Sequence, residues 1–183
     1  SAHPMMTFVP GEVPRMEGLA WTVEGDRRAV VAAGTLIRKL GGSVFEIKKK
    51  DKPLYHAFGA FLSPLLVVHL HAAVATAKAA GIPGSSLTRF MRPIVQKTLE
   101  NLFAHIEEKG GTAKAFSGPL VRGDTVTIER HLAALRGRVP GPERLYRALV
   151  QEAAKSDLPV KNRREIESLL RRTSPASKPK LTN

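Results

Sequence analysis

Cysteine is absent from the 183 residues, which excludes disulfides, thiolate zinc sites and cysteine nucleophiles, and fits a reducing compartment. Aromatic residues make up only 5% of the chain, with a single Trp and two Tyr, so it is short of the stacking side chains that nucleic-acid platforms use. No helix-turn-helix, zinc-finger or RNA-recognition signature is present. There is also no long uninterrupted apolar run. The most apolar stretch, residues 54–82, is broken by His56, His69, His71 and Lys78, so a buried core helix is expected there and not a membrane span. No signal peptide or targeting segment is visible, and a cytoplasmic protein is the expectation.

What is present is an ordinary globular balance, 43% apolar and 25% charged, enough to bury one principal core. The net charge of +13 would draw nucleic acid, acidic membranes or anionic small molecules. Its distribution weakens the first reading. Residues 161–183 hold seven Lys/Arg against two Glu, so +5 of the +13 lies there and only +8 over everything else. Nucleic acid is therefore a third-rank partner.

Along the chain, Leu19-Ala20-Trp21-Thr22-Val23 reads as a strand, and Asp26 as the N-cap of a helix carrying Ala29, Val30, Ala33, Leu36, Ile37 and Leu40 at helical spacing. Gly41-Gly42 closes that helix, and Val44-Phe45-Glu46-Ile47 reads as a second strand, parallel to the first. Two strands do not make a stable sheet alone, so a larger sheet is expected. Asp51 is placed to cap a long helix from about Pro53 to Gly81, apolar all round and therefore central and buried, with a kink at residues 61–64 because Pro64 removes a backbone donor. A helix from Ser85 or Ser86 to about Lys109 follows, bent or split at Pro93. Residues 113–123 read as a loop. Asp124 caps a helix through Leu135, Pro142 starts another, and Asn162 caps a short one ending at Arg172. Residues 173–183, rich in Ser, Pro and Lys, read as a disordered basic tail.

A set of blocks in this order carries a resemblance: Ala2-His3-Pro4-Met5-Met6-Thr7-Phe8, Val23-Glu24-Gly25-Asp26, Leu40-Gly41-Gly42, Asp51-Lys52-Pro53-Leu54-Tyr55-His56-Ala57, Thr98-Leu99-Glu100-Asn101 and Ser117-Gly118-Pro119-Leu120-Val121-Arg122-Gly123-Asp124. Together they resemble an uncharacterised group of Rossmann-like NAD(P)-dependent oxidoreductases with a helical C-terminal domain. That group is similar in architecture to pyrroline-5-carboxylate reductase, ketopantoate reductase and 6-phosphogluconate dehydrogenase. The resemblance implies a mainly α fold, a helical bundle of the 6-phosphogluconate dehydrogenase C-terminal-like type, preceded by a strand-helix-strand remnant of a Rossmann-like sheet. Residues 1–50 would be the end of the α/β domain, 51–172 a helical substrate and dimerisation domain, and 173–183 the tail. NAD or NADP would be the cofactor, yet no Gly-x-Gly-x-x-Gly and no Gly-x-x-x-x-Gly-Lys-Ser/Thr occurs in these residues, so a segment outside them would hold its phosphates.

Candidate site residues follow from the matched blocks, each with a structural alternative. His3, held extended by Pro4, would meet nicotinamide or substrate, with Pro4 beside the cofactor and Thr7 beside the substrate; the alternative is a structural loop histidine. Tyr55 and His56 open the long helix and would move a proton, with Ser63 donating to a substrate oxygen, unless Ser63 only satisfies carbonyls freed at Pro64. In place of Pro64 the family pattern has Asn, a substrate ligand in related dehydrogenases. Arg122 would take a carboxylate or phosphate on the substrate, or pair with Asp124 or a neighbouring subunit. Asp124 would be a substrate contact or simply a helix cap. His131 lies two turns beyond Asp124. His69 and His71 are two apart on a helix and point to different sides, so no metal site is expected. The first expectation is thus the substrate-binding and dimerisation part of an NAD(P)-dependent oxidoreductase, a homodimer acting on a small and anionic molecule. A non-catalytic helical interaction module is the alternative.

Overall fold

The computed structural model describes residues 1–13 and 15–173. The expected tail, apart from Thr173, lies outside the described residues. The chain divides into two compact units, the first Ser1–Val68 and the second from His69 onward.

In the first unit three strands form one sheet: β1 (Ala2–Pro4), β2 (Ala20–Val23) and β3 (Ser43–Glu46), in that order. β2 and β3 are parallel, Trp21 opposite Val44 and Val23 opposite Glu46, with α1 (Arg27–Lys39) crossing between them. β1 is antiparallel to β2 and pairs Ala2 with Val23 and His3 with Thr22. Asp26 caps α1 as its sequence position implies, Oδ1 accepting from the Ala29 amide at 2.9 Å. Gly41, at φ +79°, turns the chain out of α1. At Gly42 a Cβ would stand 2.9 Å from both Ile37 and the Trp21 ring, so only glycine lets the turn pack against them. Val23, Val30 and Ile37 are buried between sheet and helix, with Trp21, Ala33 and Val44 packed around them.

The long apolar segment departs from expectation. A three-ten turn (Lys49–Asp51) leads into α2 (Lys52–Leu62), so Asp51 belongs to that turn and makes no capping bond. The helix then stops at Ser63, with φ −126° and ψ −84°, and restarts as α3 (Pro64–Ala79). Pro64 disfavours helical geometry at the residue before it and cannot donate, which turns the expected kink into a break. More important, no residue of α2 or α3 is buried. Leu54, Phe61 and Val67 are 74%, 69% and 65% exposed. An apolar circumference states that a helix wants covering, not that its own chain supplies the cover. Among the described residues Lys49–Ala79 is long and apolar enough to cross a membrane by length and composition.

In the second unit α4 (Leu87–His105) begins after a three-ten turn, with no capping bond from Ser86, and runs unbroken through Pro93. Residues 113–123 are not a loop throughout: α5 (Gly111–Ala115) and α6 (Pro119–Arg122) occupy much of that stretch, each too short to show a hydrophobic period. α7 (Thr125–Arg138), α8 (Pro140–Lys155) and α9 (Arg163–Arg172) form the core. α8 starts at Pro140, not Pro142, because either proline suits a first helical turn. Ile128 and Leu132 of α7, Val150 and Ala154 of α8, and Ile166 and Leu169 of α9 are buried together. Asn162 precedes α9 without capping it. At φ 54° its side chain turns away and donates Nδ2 to the Gly123 carbonyl, 2.9 Å distant. Arg163 instead donates to the carbonyls of Ala154 and Ser156, at 2.6 and 2.7 Å, closing the end of α8.

Candidate functional site

Three rings expected at the site meet in the first unit. His3 lies on β1, and Tyr55 and His56 in the first turns of α2. Ring centroids are 5.6 Å apart for His3 and Tyr55, 5.2 Å for His3 and His56, and 5.9 Å for Tyr55 and His56. The Tyr55 hydroxyl stands 3.4 Å from Nδ1 of His3 and donates to the His3 carbonyl at 3.5 Å. These contacts are long and the groups exposed, so the hydroxyl is free to exchange them for a ligand.

The placement has a local cause. Glu24 follows β2 directly, and Lys52 is the first residue of α2; Lys52 Nζ donates to Glu24 Oε1 at 2.9 Å, with the Glu24 side chain 11% exposed. The Lys52 hydrogen bond holds the Glu24 carboxyl below its ordinary range. This ion pair ties the start of α2 to the end of β2, and β2 in turn carries β1 and His3.

The three rings line a cavity of about 680 Å³. Met5, Met6, Thr7 and Phe8 contribute the segment after β1. Gly59, Ala60 and Leu62 contribute from α2, and Ser63 and Pro64 from the break. A Cβ on Gly59 would lie 3.4 Å from Sδ of Met5, so this glycine keeps space beside the methionine. The structure therefore gathers His3, Thr7, Tyr55, His56 and Ser63 around one volume. Ser63 also serves the break itself, its carbonyl accepting from the Val67 amide at 3.0 Å. Pro4 is not part of the lining, and its carbonyl accepts from the Met6 amide at 3.0 Å.

Arg122 and Asp124 belong to the second unit. Asp124 is the cap of α7: Oδ1 accepts from the Thr127 amide at 3.0 Å and Oδ2 from the Thr127 hydroxyl at 2.7 Å. Those bonds, the hydroxyl's first, hold its carboxyl below the ordinary range. Arg122 is the exposed last residue of α6 and makes no ion pair among the described residues. His131 is engaged with Tyr146 of α8, Nδ1 to Oη 3.0 Å, and not with Asp124. Burial pushes the Tyr146 phenol up. Both line an apolar cavity of about 560 Å³ with His69, while His71 is elsewhere. Among the described residues no group of three or more His, Asp or Glu is placed to hold a metal.

Among the described residues neither Arg nor Lys lines the cavity, and no glycine-rich phosphate loop occurs in the sequence, so these residues do not fit a pyrophosphate. The methionines, Phe8 and the Glu24–Lys52 tie are parts of the site that sequence reasoning did not assign. The only signal for them was their presence inside the matched blocks.

Comparison with known proteins agrees with this architecture. Residues 19–153 match the family described as "Domain of unknown function (DUF2520)". Among solved structures the chain is similar to BF3122 of Bacteroides fragilis, described as a "putative NADP oxidoreductase", with a TM-score of 0.63 and 22% identity over 81% of this chain and 54% of that one. It is also similar to protein TM1727 of Thermotoga maritima, with a TM-score of 0.65 and 16% identity over 93% of this chain and 61% of that one. The chain thus spans little more than half the length of each. At these identities the likeness establishes the fold, mainly helical behind a small sheet. No curated protein matches the sequence.

Proposed function

The chain belongs to the DUF2520 family, and from that premise we propose that it forms the substrate-side part of an NAD(P)-dependent oxidoreductase, with the nucleotide's phosphates held by a segment outside these residues. The observation that carries the reading is the His3–Tyr55–His56 cluster on the wall of a cavity large enough for a small ligand. Reduction of a carbonyl or imine needs a proton at oxygen or nitrogen. Tyr55 can give it, with His3 and His56 in contact to return one to the phenol, and Thr7 and Ser63 to orient the reacting group. The fold of BF3122 supports the oxidoreductase class by analogy. The exposed faces of α2, α3 and α4 support a homodimer that covers them.

The test is NADPH consumption by the longest polypeptide the gene encodes, against a panel of carbonyl and imine compounds, for wild type, Tyr55→Phe and His56→Gln. Turnover should fall about 100-fold in either variant with cofactor affinity unchanged. Unaltered turnover in both variants would remove the cluster from the chemistry. A second reading, a helical interaction module without catalysis, draws on the same exposed helices. It predicts a dimer with no NADPH consumption on any substrate.

A further inference from the structure

The sequence suggests an anionic substrate, from its positive charge and from Arg122. The cavity has a different chemistry. Its polar side chains are two imidazoles, the Tyr55 phenol and the hydroxyls of Thr7 and Ser63. The remaining surface is Met5, Met6, Phe8 and Leu62, with Gly59 and Ala60 giving room. Among the described residues no Arg, Lys, Asp or Glu lines it. Lys52, one turn before Tyr55 and His56 on α2, is committed to Glu24 at 2.9 Å.

Resting on the reading of this cavity as the substrate site, we propose that it takes an uncharged carbonyl or imine compound with an apolar, preferably aromatic, body. A carboxylate or phosphate brought against methionine and phenylalanine loses its hydration and finds no fixed cation, which costs more than a neutral carbonyl accepting a hydrogen bond from Tyr55. Thioethers are polarizable and adapt to an aromatic ring, which suits Met5 and Met6 to hold one. The carbonyl end lies at the His3, Tyr55 and His56 rings, and the apolar body fills the space that Gly59 leaves beside Met5.

The four methionines supply the assay, since Met5 and Met6 line the cavity while Met16 and Met91 do not. The full chain, with 13C-labelled methionine methyls, is titrated with acetophenone and with its carboxylated counterpart phenylglyoxylate. Acetophenone should shift Met5 and Met6 and leave Met16 and Met91 in place, at a concentration at least about tenfold lower than phenylglyoxylate needs. Gly59→Leu, which fills the cavity on a helix that tolerates leucine better than glycine, should abolish the shift while undisturbed Met16 and Met91 signals report an intact fold. If phenylglyoxylate binds as tightly or more tightly, the neutral-substrate proposal is overturned and the cavity remains a site. If neither compound moves Met5 or Met6, both the proposal and the assignment of the cavity fall.

Discussion

Glu143→Ala removes the acceptor around which the end of the second unit is organised. Glu143 lies in the first turn of α8 with its side chain 4% exposed, and it accepts from Arg147 at 2.6 and 3.2 Å and from Arg136 at 3.4 Å. Arg147, 15% exposed, also donates to the Leu170 carbonyl at 2.8 Å and the Thr173 carbonyl at 2.9 Å, which closes the C-terminal end of α9. Breaking a buried ion pair from one side costs about 3–5 kcal/mol. Because Arg147 keeps its carbonyl partners and some water, the lower end, about 3 kcal/mol, is expected. The half-exposed Arg136 adds under about 1 kcal/mol. Glu143→Gln retains an acceptor and should cost about 1–2 kcal/mol. Replacing both partners, Glu143→Met with Arg147→Met, should recover much of the loss, since no charge is then stranded. In urea, with a slope of about 2 kcal/mol per molar, Glu143→Ala should lower the midpoint by about 1.5 M, read by far-UV circular dichroism, and hydrogen exchange along α9 should accelerate. A midpoint lowered by less than about 0.3 M would refute the reasoning.

Asp26→Ala removes the cap of α1 and should cost about 1 kcal/mol; the single Trp21 beside that helix reports it by fluorescence, and an unchanged melting curve would contradict it. Asp124 has its carboxyl below the ordinary 3.8, so its stabilisation is complete above that value and lost as pH falls toward its folded-state value. The thermal advantage of wild type over Asp124→Asn at pH 7 should therefore shrink below pH 3.8 and vanish in stronger acid, and a constant gap would exclude the linkage. Sedimentation of wild type should give twice the 19.9 kDa chain mass, and Phe61→Glu, at a position 69% exposed, should shift it toward monomer. Wild type sedimenting as a monomer at high micromolar concentration would count against the homodimer.

Where a signal is local, the sequence discloses it. Asp26 three residues before the amide it caps, Gly41-Gly42 at a tight turn, and Asp124 as the cap of α7 are all read within a single element. The parallel pairing of β2 and β3 follows from the helix between them. The misses have physical reasons. β1 is three residues long and owes its conformation to β2, and α5 and α6 are shorter than two turns. Asn162 looks like a cap, but its side chain finds Gly123, 39 residues away. The apolar α2–α3 segment announced burial, yet among the described residues none of its side chains is buried. At the site, His3, Tyr55 and His56 stood out inside the matched blocks. The apolar lining and the Glu24–Lys52 tie depend on contacts between residues far apart in sequence, which no local pattern encodes.

Calorimetric titration of NADPH and NADH, on these 183 residues and on the longest polypeptide their gene encodes, tests the central claim most directly. The account predicts binding by the longer polypeptide and little or none by the shorter chain, whose cavity is lined by neither Arg nor Lys among the described residues. Binding by neither would contradict the oxidoreductase reading and leave a helical interaction module in its place.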